Sequence, residues 1–113
     1  LDIIGRKRGG VQLIELRGQL KLGPPVDELR QSIEESLENG DTLFVINLAG
    51  VPTIDSSGIG LLVRTLASAK QRGGNVKLVS PSPFAIKTLK LVGVLNLFEV
   101  FDDDAAAIES YGV

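Results

Sequence analysis

The chain has 113 residues, 43% apolar and 23% charged, with 12 basic and 14 acidic side chains and a net charge of -2. That length and composition suit one domain, residues 1–113, with a single core, and the near balance of charge argues against a nucleic-acid binder driven by phosphate neutralisation. Cysteine and histidine are both absent, which excludes disulfides, thiolate or histidine metal sites and a Ser-His-Asp triad.

The first elements are two strands, "DIIGRKRGGVQLIELRG", joined at Gly9-Gly10, a pair that supplies the positive φ of a tight hairpin turn. Arg6, Lys7 and Arg8 cluster at the hairpin tip and read as a solvated face. "GQLKLGPP" interrupts the pattern. A helix then begins near Pro25 and ends at Asn39-Gly40, with Val26, Leu29, Ile33 and Leu37 on one face and Asp27 and Glu28 near its positive end.

"TLFVINL" is apolar almost throughout and predicts a strand buried on both faces. A helix follows "VPTIDSSG", with Ile59, Leu62, Val63 and Leu66 as its apolar face, and stops at Gly73-Gly74. "NVKLVS" is the next strand, so the strand-helix-strand unit predicts parallel strands and a right-handed crossover. Ser82 and Pro83 open a third helix that ends at Gly93. "LFEVF" is a short last strand, and Asp102 to Asp104 start a terminal helix with Ala105, Ile108 and Tyr111 toward the sheet. The order is β-β-α-β-α-β-α-β-α. This is an α/β domain with a small mixed sheet of about five strands and about four helices. No apolar run approaches the roughly 20 residues of a membrane span, and no signal-peptide pattern is present, so membrane insertion is not expected and a cytoplasmic setting is.

The chemistry concentrates in "VPTIDSSGIGLL", residues 51–62. Ligands and modifications in a parallel βαβ unit gather at the carboxyl ends of strands, and this loop lies at one. Either Asp55 or Ser56 can cap the helix. The third residues after them, Gly58 and Ile59, are not acidic, so no capping box forms. Gly58 and Gly60 leave the first turn bare, able to receive an anion or to lie against a partner. Leu61 falls off the main apolar face and, next to the serines, reads as partner-binding surface with Ile59. The P-loop, dinucleotide and esterase-elbow patterns all fail here, and a nucleophilic serine would lack its usual base. No enzyme, cofactor or metal is expected.

Nearly the whole chain, and most strongly residues 47–101, with Asn-Leu before the loop, Asp-Ser-Ser-Gly-hydrophobic-Gly within it, Gly-Gly after the helix and Pro at the end of the next strand, resembles the STAS domain of bacterial anti-sigma factor antagonists. The resemblance implies the STAS fold and a phosphorylation switch. It makes Ser56, directly after Asp55, the phosphorylated residue, and Ser57 a possible second acceptor. The implied partners are an anti-sigma factor serine kinase of the histidine-kinase-like ATPase fold, bound by the unphosphorylated form so that the sigma factor is freed, and a phosphatase. Lys21, in "RGQLK", departs from the pattern by occupying a place that is often acidic. It is placed to pair with Asp55 or with a phosphate. The alternative reading is a STAS subunit docking on a membrane transporter ATPase complex without phosphorylation, for which the helix beginning near Ser56 would be a permanent docking surface.

Overall fold

The computed structural model describes all 113 residues. The strands are β1 (Asp2–Arg8), β2 (Val11–Arg17), β3 (Leu43–Gly50), β4 (Asn75–Val79) and β5 (Glu99–Phe101), and the helices α1 (Pro24–Glu38), α2 (Ser56–Gln71), α3 (Pro83–Leu91) and α4 (Asp104–Glu109). They form one sheet in the order β1-β2-β3-β4-β5. The β1–β2 hairpin is antiparallel and every other pairing is parallel. This is the mixed five-stranded α/β arrangement expected from the pattern.

Alternation along the strands sends side chains to two unequal layers. On one face, Ile14, Leu16, Phe44, Ile46, Leu48, Val76 and Leu78 pack against α1, α2 and α3 in a core of 21 buried residues. On the other, Val11, Leu13, Val45 and Val79 meet only Ala107 of α4 among the fully buried residues, with Phe101, Ile108 and Tyr111 filling in around them. β3, central in the sheet, is covered on both sides, as its unbroken apolar run requires.

The thin face is closed by polar anchors. Lys77 of β4 is buried, with its ammonium 2.7 Å from Ser110 Oγ, 3.4 Å from Glu99 Oε2 and 4.1 Å from the centre of the Tyr111 ring. The Tyr111 hydroxyl donates to the carbonyl of Phe44 at 2.7 Å. Burial pushes the Tyr111 phenol well above its ordinary range. Nearby, Asn47 Nδ2 donates to Asp104 Oδ1 at 2.8 Å. Hydrogen bonds from Lys77, Asn47 and Tyr111 and a cation–π contact thus hold a helix of only six residues, too short to bury much apolar area.

Two local expectations need correction. The last strand is shorter than "LFEVF": residues 95–97 form a 3-10 turn and pairing with β4 starts at Glu99. In α4 it is Ala107, not Ala105, that faces the sheet. Asp103 caps this helix by accepting from the Ala106 amide, which sets the inward stripe at 107, 108 and 111 and leaves Ala105 exposed.

Candidate functional site

The site is assembled where the segment after β2 meets the segment after β3. Leu20 forms an isolated parallel bridge with Ile54. The Leu20 amide donates to the Thr53 carbonyl at 3.1 Å and the Asp55 amide donates to the Leu20 carbonyl at 3.3 Å. Buried Leu20 and Ile54 anchor this short ladder in the main core. "GQLKLGPP" is therefore the support on which the start of α2 rests as well as a break between elements.

Asp55 is the N-cap of α2. Its Oδ1 accepts from the amides of Ser57 and Gly58, both at 3.0 Å, and its Oδ2 accepts from the Leu22 amide at 2.9 Å. One carboxylate thereby ties the helix start to the loop before α1. These backbone donors, with Leu22 foremost, and the positive charge of Lys21 hold the Asp55 carboxyl below its ordinary value, against the opposing effect of partial burial. Lys21 itself is exposed and makes no ion pair, so its influence on Asp55 acts through space.

The two glycines of the motif have different work. A Cβ on Gly58 would stand 2.5 Å from the Leu20 carbonyl oxygen and 2.9 Å from side-chain carbons of Ile54 and Leu20. Gly58 is the seat on which α2 rests against the ladder. A Cβ on Gly60 would approach only the Arg64 guanidinium, at 3.2 Å, the mobile end of a long side chain. Gly60 belongs to the surface.

Ser56 is exposed at the first position of α2, and its hydroxyl makes no hydrogen bond within the chain. Ser57 is half-buried. Because Asp55 already occupies the amides of Ser57 and Gly58, the helix end is less open to an anion than the sequence suggested. The assignment of Ile59 and Leu61 to a contact surface is overturned: both are buried, Ile59 at 4% and Leu61 at 3% exposure. α2 packs against α1 as well as against the sheet, so its buried arc is wider than one stripe and takes in Leu61, which joins Ile33 in the main core beside the half-buried Leu37.

Sequence reasoning passed over Leu22, whose amide completes the shell of Asp55 and whose side chain is 75% exposed beside the site. Its only signal is a second leucine, two residues after Leu20, in the segment that breaks the strand pattern. Phe84, in the first turn of α3 at the same end of the sheet, is also exposed. No group of three or more His, Cys, Asp or Glu side chains is arranged to hold a metal ion, and no helix is long and apolar enough to cross a membrane.

A STAS domain family model matches residues 3–107, and the chain belongs to that family. Among curated relatives, an anti-sigma F factor antagonist of Paenibacillus polymyxa is 23% identical over 100 residues, covering 88% of this chain and 85% of the relative. The crystal structure of a candidate anti-sigma factor antagonist from Thermotoga maritima superposes with a TM-score of 0.91 at 21% identity, covering 98% of this chain and 95% of the other. The Bacillus cell fate determinant SpoIIAA in its phosphorylated form superposes with a TM-score of 0.79 at 22% identity, covering 97% and 99%. At these identities the structural likenesses establish the shared fold.

Proposed function

We propose that this chain is an anti-sigma factor antagonist whose unphosphorylated form binds and sequesters an anti-sigma factor kinase, freeing the sigma factor, and that phosphorylation of Ser56 switches the binding off. The observation that carries this reading is the state of the Ser56 hydroxyl. It is exposed, free of internal hydrogen bonds and next to a carboxylate already committed to the backbone. The relatives named as anti-sigma factor antagonists support the role. The kinase, of the histidine-kinase-like ATPase fold, and the phosphatase that resets the switch follow from the family resemblance. ATP-dependent chemistry of this kind belongs in the cytoplasm. The chain itself acts by binding, with no catalytic constellation of its own.

The switch can work without refolding. A phosphate on Ser56 adds about -1.5 to -2 charges at neutral pH. The amides of Ser57 and Gly58 are taken by Asp55, so the phosphate gains little from folding back onto the helix and projects outward beside a like charge. Exposed Leu22 and Phe84 supply apolar contact area at this end of the sheet. A partner packed over them would have to desolvate the phosphate, which is costly unless it is paired. A hundredfold loss of affinity needs only about 2.7 kcal/mol, within reach of one uncompensated interfacial charge. Lys21 softens the local negative potential and so tunes the size of the effect.

The test is peptide mass spectrometry on protein from its native cell, with binding of the co-purified partner to Ser56→Ala and Ser56→Asp variants. We expect a single phosphate on Ser56, phosphate still accepted by Ser57→Ala, tight binding by Ser56→Ala and roughly hundredfold weaker binding by Ser56→Asp. Equal affinities of the two Ser56 variants would sink the switch. Absence of phosphate together with co-purification of a membrane ATPase would replace it with permanent docking.

A further inference from the structure

The two edges of the sheet are guarded unequally. β1 is long and carries Asp2, Arg6, Lys7 and Arg8, charges of the kind that discourage edge-to-edge pairing. β5 has no such guard. Its one charged residue, Glu99, leans to the α4 face and pairs with buried Lys77. Val100 shares the register of Leu78 and therefore the opposite face, yet it is exposed. In the segment that leads into it, Leu97 of the 3-10 turn and Leu91 and Val92 at the end of α3 are also exposed, Leu91 at 77%. Four large exposed apolar side chains thus fall within the ten residues, 91–100, that lead into this open edge strand.

The charges flanking this patch are segregated. α3 contains Lys87 and Lys90 and no acid, and its end lies toward the amino end of β5, to which the 3-10 turn leads. Asp102 follows the carboxyl end of β5 directly. Lys87, Lys90 and Asp102 all make no ion pair within the chain.

We infer that the edge formed by β5, the 3-10 turn and the end of α3 is the contact surface for a second copy of this chain. The copies would meet by antiparallel pairing of their β5 strands about a two-fold axis at Val100. That axis extends the sheet and keeps the α3 helices of both copies on one face, so Leu91, Val92, Leu97 and Val100 pack against their equivalents. It also sets the carboxyl end of one β5 against the amino end of the other. Asp102 of each copy then approaches Lys90 of its mate, and the contact is self-complementary in charge, as an isologous interface must be. β5 is two strands away from β3, so Ser56 stays accessible in the dimer. The inference stands independently of the phosphorylation switch.

Three backbone residues and four side chains make a small interface, so the association should be reversible and dependent on concentration. Sedimentation equilibrium of the full chain over a wide concentration range measures it. We expect a monomer–dimer equilibrium that Lys90→Asp or Asp102→Lys alone weakens roughly tenfold, because each reversal replaces two symmetry-related attractions with two repulsions. The double variant Lys90→Asp/Asp102→Lys should restore association, since the pairing is re-established with opposite polarity. Val100→Lys should abolish it. All three positions are exposed, so circular dichroism should report an unchanged fold. A wild-type chain that stays monomeric throughout would overturn the inference. So would a dimer indifferent to these substitutions.

Discussion

The starts of α2 and α3 lie at the carboxyl ends of neighbouring parallel strands, and both carry serine, but they use it differently. In α3, Ser82 is the cap: its hydroxyl accepts from the Ala85 amide at 3.0 Å, and Pro83 fills the first helical position without needing an amide partner. In α2 the cap is Asp55, and the serine comes one residue later, on the surface, with its hydroxyl unengaged. A serine that caps is consumed by the fold. A serine placed just after an acidic cap is available for chemistry, because the carboxylate has already met the needs of the helix. The acidic cap also reaches the Leu22 amide, which no serine hydroxyl could do while holding two helix amides.

The largest effect that breaks this contrast lies at the seat of α2. Gly58→Ala forces a Cβ into the Leu20 carbonyl, and we expect a loss of about 3 kcal/mol or more, read from the urea midpoint. Gly60→Ala, two residues on, meets only the mobile end of Arg64 and should be neutral or up to about 1 kcal/mol stabilising through helix propensity.

Next in size is the cap. Asp55→Asn should cost about 1–2 kcal/mol at pH 7, because it replaces a charged acceptor of three backbone amides by a neutral one. The folded carboxyl titrates below its unfolded value of about 3.9, so its contribution is complete above that pH and is lost as pH falls through the folded value. The stability gap between wild type and Asp55→Asn should therefore narrow as pH falls below the unfolded value and through the folded one. A gap that persists there would locate the cost in geometry instead of charge. Ser82→Ala should cost about 1 kcal/mol with no such acid dependence. The smallest effect is expected at Ser56→Ala, within about 0.5 kcal/mol of wild type by chemical denaturation, since the hydroxyl supports nothing in the fold.

Much of the site was legible before the structure. The acid, the two serines and the glycines between an apolar strand and an amphipathic helix pointed to a helix start at a strand's carboxyl end. What was misread depended on neighbours remote in the chain. Leu61 looked like surface because a single-face pattern ignores α1, which takes a second side of α2. Nothing local marks Lys77 as buried, because its partner Ser110 lies 33 residues away. The two motif glycines looked alike, and only the Leu20 ladder, 38 residues before Gly58, separates the one that must be bare from the one that is merely small.

The sequence by itself determined the order of the elements, the parallel crossover and the location of the motif, because periodicity, turn residues and caps act over a few residues and are written locally. Tertiary structure alone decided which hydroxyl is free, which glycine is a seat, and which leucines are core and which are surface. Those outcomes depend on the packing of the segment after β2 against the start of α2, and of α1 against its side. That packing joins residues far apart in the chain, and no local pattern encodes the distance between them.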